Sequence, residues 1–196
     1  LNVPVYSIIR DNKYFNCTQY SFADLMENKN PEINSDDLTP DDWVNHISTI
    51  FTEVRLKKFI EMRGADAGGY KSLCALPALW TGILYCNDSL DEALKITGGI
   101  EFEDLLNFRK EVCKIGLNAE LNGYKGWQLA KEVLEISKSG LKHRKKINSF
   151  GDDENIHLSF LEELISQKKS NAASMIEKYY KNEKINIELL FNEQSF

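Results

Sequence analysis

In the stretch Arg55-Leu56-Lys57-Lys58-Phe59-Ile60-Glu61-Met62-Arg63, charged and apolar residues alternate except at Lys58 and Phe59. That pattern predicts a β-strand over 55–63, closed by Gly64 and a loop of small residues running to Gly69. On a strand, Leu56, Lys58, Ile60 and Met62 share one face, and Arg55, Lys57, Phe59, Glu61 and Arg63 share the other. Glu61 and Arg63 would then have Cα atoms about 6.6 Å apart on one face. A carboxylate there suits a Mg²⁺ ion, and a fixed guanidinium beside it suits an oxygen of a phosphoryl group carried by that metal. Arg55, on the same face, offers a further cation for an anionic substrate group or phosphate. The competing reading is a solvated strand face whose Glu61–Arg63 pair contributes at most about 1 kcal/mol.

The surrounding elements must hold that strand. Val3 to Ile9 and Lys13 to Asn16, joined by Arg10-Asp11-Asn12, read as a β-hairpin. Ser21 is an N-cap for a short helix over 22–28. Thr39-Pro40-Asp41-Asp42 opens another, with a cap, a proline at the first helical position and acids at the positive helix end. After the strand, Gly64 to Gly69 lets backbone approach a ligand, but no Gly-Lys-Ser/Thr follows, so it is no Walker A loop. Asp66 either assists a metal site or caps the next helix. Leu73 to Tyr85 is apolar on most sides and reads as a buried helix with Pro77 near its start. Ser89-Leu90-Asp91-Glu92 reads as a capping box. Further helices are expected over 101–115, along the stripe Trp127, Ala130, Val133, Leu134, Ile136 and Leu141, over 156–166 and over 170–180, with a loosely held tail. The expected fold class is α+β: antiparallel strands of an incomplete sheet in residues 1–70, packed with a mostly helical part over 71–196.

Composition narrows the function classes. The 196 residues carry 24 Lys plus Arg against 30 Asp plus Glu, a net charge of −6. This lacks the basic surplus of a nucleic-acid binder; the one basic run, Lys142 to Lys146, reads as a solvated helix end. The longest apolar segment, Ala75 to Cys86, is interrupted by Thr81 and Gly82 and is shorter than the roughly 20 residues of a membrane span. Cys17, Cys74, Cys86 and Cys113 lack close-paired metal spacing, and reduced thiols point to a cytoplasmic protein.

Residues Phe51 to Asp66, followed by Leu73-Cys74-Ala75-Leu76-Pro77-Ala78-Leu79-Trp80, closely resemble the plant- and proteobacterial-type glutamate–cysteine ligases. Those enzymes carry Glu-Met-Arg-Gly-Ala-Asp and then Leu-Cys-Ala-Leu-Pro-Ala. The resemblance runs along the whole chain but corresponds to the later part of the family's chain. It implies a glutamine-synthetase-like sheet, of which this is the C-terminal portion of one larger catalytic domain. The activity implied is the first step of glutathione biosynthesis, ATP-dependent joining of the L-glutamate γ-carboxylate to the amino group of L-cysteine through a γ-glutamyl phosphate. Carried onto this chain, Glu61 becomes a Mg²⁺ ligand bridging to ATP and Arg63 the catalytic cation on the transferred phosphoryl, with Arg55 and Asp66 as further substrate or ATP contacts. The missing N-terminal portion would supply the other metal carboxylates and most of the glutamate pocket, so this chain alone should be inactive. Tyr6 and Arg10 match a strand and basic turn of the family that would reach a substrate.

Two departures bear on these implications. Relatives carry a pair of arginines where this chain has Lys71 and Ser72. Plant members pair a cysteine at the place of Cys17 with another fifteen positions on, where this chain has Glu32, so that disulfide is not expected. Two alternatives stand beside the ligase: a related ATP-dependent carboxylate–amine ligase with another amine acceptor, and a non-catalytic helical interaction module.

Overall fold

The computed structural model describes residues 1–56, 58–66, 68–181 and 184–194. The chain divides into two compact units, Leu1–Ala65 and Asp66–Phe196. Its class is α+β, as expected. Among the described residues the strands form four separate two-stranded antiparallel ladders, not one sheet.

The first unit opens with β1 (Ser7–Arg10) and β2 (Lys13–Asn16), paired from Ser7↔Asn16 to Arg10↔Lys13. Asp11 and Asn12 take φ of 49° and 59° between them. Two left-handed residues of this kind match the strand twist, and Asp and Asn tolerate the conformation. Helix α1 (Phe22–Met26) begins at a capping box in which Ser21 and Asp24 exchange hydrogen bonds. Helix α2 (Pro40–Ser48) begins at an equivalent box between Thr39 and Asp42. The core of this unit is Val5, Ile8, Cys17, Phe22, Leu25 and Ile33.

The predicted nine-residue strand is a hairpin instead. β3 (Val54–Leu56) pairs antiparallel with β4 (Ile60–Met62), in the register Val54↔Met62, Arg55↔Glu61, Leu56↔Ile60. Lys57, whose side chain was expected on the charged face, lies outside the described residues. A continuous strand would have put Arg55 and Glu61 about 20 Å apart; the reversal puts them directly opposite one another.

The second unit is helical: α3 (Tyr70–Leu84), α4 (Asn87–Thr97), α5 (Phe102–Ile115), the short ladder β5 (Glu120–Leu121) with β6 (Tyr124–Lys125), α6 (Gly126–Arg144), α7 (Ser159–Gln167) and α8 (Asn171–Tyr179). The ladder β7 (Tyr180–Lys181) with β8 (Lys184–Ile185) and the helix α9 (Ile187–Gln194) follow, so the tail expected to be loosely held has structure of its own. Its core gathers Ala78, Leu134, Leu141 and Leu158. Helix α3 starts three residues before the predicted Leu73, which places Pro77 inside it and leaves the Leu73 carbonyl without its intrahelical donor. Ser89 is no cap: α4 begins at Asn87, and the buried Ser89 hydroxyl donates to the Ile136 carbonyl at 3.1 Å, tying α4 to α6. Among the described residues no helix is long and apolar enough to cross a membrane.

Candidate functional site

Strand pairing, rather than simple alternation, assembles the candidate site. Arg55 and Glu61 are register partners, and the Arg63 N–H donates to the Glu53 carbonyl at 2.8 Å, which carries the pairing one step beyond β3 and β4. Period-two geometry then sets Glu53, Arg55, Glu61 and Arg63 on one face, with Val54 and Met62 on the other. The Glu61 Oε2 lies 3.5 Å from Arg55 Nε and 3.4 Å from Arg63 Nη1. The first contact lacks hydrogen-bond geometry; in the second the guanidinium donates to the carboxylate. The Arg63 guanidinium also stands 5.2 Å from the centre of the Phe51 ring, a cation–π distance.

These three side chains are partly shielded, at 22% exposure for Arg55, 34% for Glu61 and 26% for Arg63. The side chains are partly exposed, so the cluster stays within reach of a ligand, although the Arg55 Nε atom itself is buried beside Glu61. Of these neighbours, sequence reasoning singled out Arg55, Glu61 and Arg63, which the structure brings together, but not Glu53 or Phe51. Glu53 becomes legible only once the chain reversal is known, because it then falls opposite Arg63. Asp66 is exposed and belongs to the second unit. It does not cap α3, whose N-cap is Gly69 with no side-chain hydrogen bond.

Mg²⁺ fits this cluster only as a shared ligand. Among the described residues no three His, Cys, Asp or Glu side chains gather around a point that could hold an ion. One carboxylate whose charge is divided between two guanidiniums does not hold Mg²⁺ unaided. Mg²⁺ is nevertheless commonly held by one or two carboxylates together with substrate phosphates and water, and Glu61 fits one place in such a set.

Arg10, expected to reach a substrate, is committed elsewhere. Its guanidinium donates to both carboxylate oxygens of Asp42 at 2.7 Å and to the Asp37 carbonyl at 2.7 Å. It is therefore a strut between β1 and α2, and it holds the Asp42 carboxyl below the usual carboxylate range. Tyr6 stays exposed. Cys17 is fully buried, and burial pushes its thiol pKa up, as befits an unreactive structural thiol. In the second unit a cavity of about 420 Å³ is lined by Glu92, Lys95, Tyr124 and Glu132 among others. Its Lys95 pairs at 2.6 Å with Glu92 on the same helix.

The sequence of this chain matches glutamate-cysteine ligase family 2 (GCS2) over residues 1–193. It is 37% identical over 193 residues to the chloroplastic glutamate–cysteine ligase of Medicago truncatula, covering 98% of this chain and 37% of that protein. It is 43% identical over 144 residues to the chloroplastic glutamate–cysteine ligase A of Oryza sativa subsp. indica, covering 74% of this chain and 29% of that protein. The corresponding Solanum lycopersicum protein is 37% identical over 193 residues, with 98% and 36% covered. The chain thus spans about a third of the length of the curated relatives it matches. These relatives are named chloroplastic, which overturns the cytoplasmic expectation. That expectation rested on thiol count and spacing, which report redox state and not address.

Proposed function

The chain belongs to glutamate-cysteine ligase family 2, and from that premise we propose that it carries the phosphoryl-handling hairpin of an enzyme joining L-glutamate to L-cysteine at the expense of ATP. The observation that supports this reading is the convergence of Arg55 and Arg63 on Glu61 within the stretch that resembles the family signature. In the proposed reaction a γ-carboxylate oxygen of glutamate attacks the γ-phosphorus of ATP, the bond to the β-phosphate oxygen breaks, and ADP leaves. The cysteine amino group then attacks the carbonyl of the γ-glutamyl phosphate. It loses a proton as the C–O bond to phosphate breaks, leaving the amide and orthophosphate.

Both steps gather negative charge on phosphoryl oxygens, so positioned cations are the main catalytic contribution available to this chain. Arg63 is proposed to sit on the transferred phosphoryl, steadied by the ring of Phe51. Glu61 is proposed as one ligand of a Mg²⁺ ion, which would supply charge neutralisation across the ATP phosphates. Arg55, opposite Glu61 on the paired strand, is proposed as a second cation for the phosphates. The chain corresponds to about a third of the relatives' length, and the remaining carboxylates and most of the glutamate pocket are proposed to lie in residues outside it. By itself it is expected not to turn over.

The test is glutamate- and cysteine-dependent ADP release by the protein encoded by the whole reading frame. Arg63→Ala should lower kcat by about 100-fold with a much smaller change in KM. Glu61→Gln should require more Mg²⁺ for half-maximal rate. Normal turnover of either variant at ordinary Mg²⁺ would remove the assignment. Replacing cysteine with other amines separates this ligase from one with another acceptor, since full activity with a different amine would rename the substrate.

A further inference from the structure

The oxygen at which Arg55 and Arg63 converge belongs to the protein itself. Glu61 Oε2 lies within 3.5 Å of a nitrogen of each guanidinium, and the three groups come from one hairpin, two of them directly across a ladder. Two guanidiniums converging on one oxygen is the arrangement that binds the oxygen of a phosphate. We propose that Glu61 is a resident counter-ion occupying an oxyanion site built by Arg55 and Arg63, and that a polyphosphate ligand must displace its carboxylate to bind. This rests on the reading of the hairpin as the phosphoryl-handling face of the ligase, and it adds a regulation of that face.

Three features carry the exchange. The arginines have separate supports: Arg55 leaves the middle of β3, while Arg63 follows β4, with its backbone bonded to Glu53 and its guanidinium near Phe51. Both can therefore stay in place when Glu61 turns away. The Arg55 Nε contact lacks hydrogen-bond geometry, so the carboxylate fills the site without saturating it. All three side chains keep between a fifth and a third of their surface exposed, which leaves a ligand a route in. A carboxylate released by an incoming phosphate is then free to meet the cation that accompanies that phosphate. Metal-free phosphate, by contrast, has to compete with it. Binding of the metal and of the phosphate are thereby coupled through one side chain.

The probe is inorganic tripolyphosphate, titrated calorimetrically into the full 196-residue chain at low salt with EDTA. Glu61→Gln removes the competing charge at constant shape and should bind about threefold tighter than the parent, or better. Arg55→Gln should bind at least about threefold more weakly. Glu32→Gln, which removes the same charge from an exposed residue of the same unit, should leave binding within error of the parent. Equal affinity of the parent and Glu61→Gln, or tightening by Glu32→Gln as large as by Glu61→Gln, overturns the proposal. A measurement on the parent chain needs no variant: the side-chain Nε–H signals of Arg55 and Arg63 should shift along one shared binding curve, and movement of only one overturns it. None of these readings uses ADP release. Failure of the ligase reading with a positive tripolyphosphate result, or the reverse, is therefore distinguishable.

Discussion

His46 shows how one side chain can record the state of a whole unit. It is 1% exposed, and among the described residues neither ring nitrogen has a hydrogen-bond partner. It stacks on Phe22 at 5.3 Å between centroids and lies 5.6 Å from Trp43. Burial holds its pKa below 6.5. On unfolding the imidazole returns to about 6.5, so the unfolded chain takes up the proton more readily. Its contribution to stability is complete above about pH 6.5 and is lost as pH falls through the folded-state value. Asp42 also has a lowered pKa, but its contribution is lost only as pH falls below the ordinary carboxylate value of 3.8. The melting temperature should therefore drop between pH 7.5 and 5.5, and His46→Phe should flatten that drop. An equal drop in both proteins would show that His46 is not its source. At this scale the sequence was legible where neighbours along the chain interact and opaque where they do not. Glu61 and Arg63 could be paired on spacing alone, whereas Arg10 looked available because Asp42, 32 positions away, was invisible.

Elements were legible in proportion to how local their signals are. The caps at Ser21 and Thr39 lie within one turn of the helices they start, and the structure has both. The β3–β4 reversal carries no Gly, Pro, Asn or Asp between its strands, so the alternation of residues 55–63 read straight through it. The crossing of α3 and α6 was equally hidden, because it depends on residues being absent of bulk. A methyl group on Gly140 would overlap the Gly82 carbonyl oxygen, and one on Gly82 would overlap the Ser137 carbonyl. The close approach lets the Ser137 hydroxyl donate to the Leu79 carbonyl at 2.9 Å. Gly140→Ala should therefore cost about 1–3 kcal/mol through forced separation of the helices. Gly69→Ala, at a position with nothing within 4 Å and an ordinary negative φ, should cost less than about 1 kcal/mol. Paired denaturant melts of the two variants check this; equal losses would mean that the crossing is looser than its geometry.

At the scale of the molecule, stability and the proposed function draw on different parts of the chain. The second unit buries its own apolar seam, centred on Leu134, Leu141 and Leu158, with the α3–α6 crossing bonded across it. Among the described residues the hairpin that carries Arg55, Glu61 and Arg63 shows no such seam: Val54 is 48% exposed, Phe59 61% and Ile60 59%. Two strands with an uncovered apolar face are marginal in water, and local opening is cheapest where buried contacts are fewest. The charged face adds little to offset this, since partly exposed ion pairs of this kind contribute at most about 1 kcal/mol each. Amide exchange should expose the contrast. The Arg63 N–H, bonded to Glu53, should exchange at least about 100-fold faster than the amides in the middle of α6. Tripolyphosphate should slow Arg63 while leaving α6 unchanged, because a ligand bridging both arginines joins the two strands. If the Arg63 amide is as protected as α6 in the free chain, the hairpin is held by more than its own ladder. The cluster would then be pre-formed, with no ordering left for a ligand to supply.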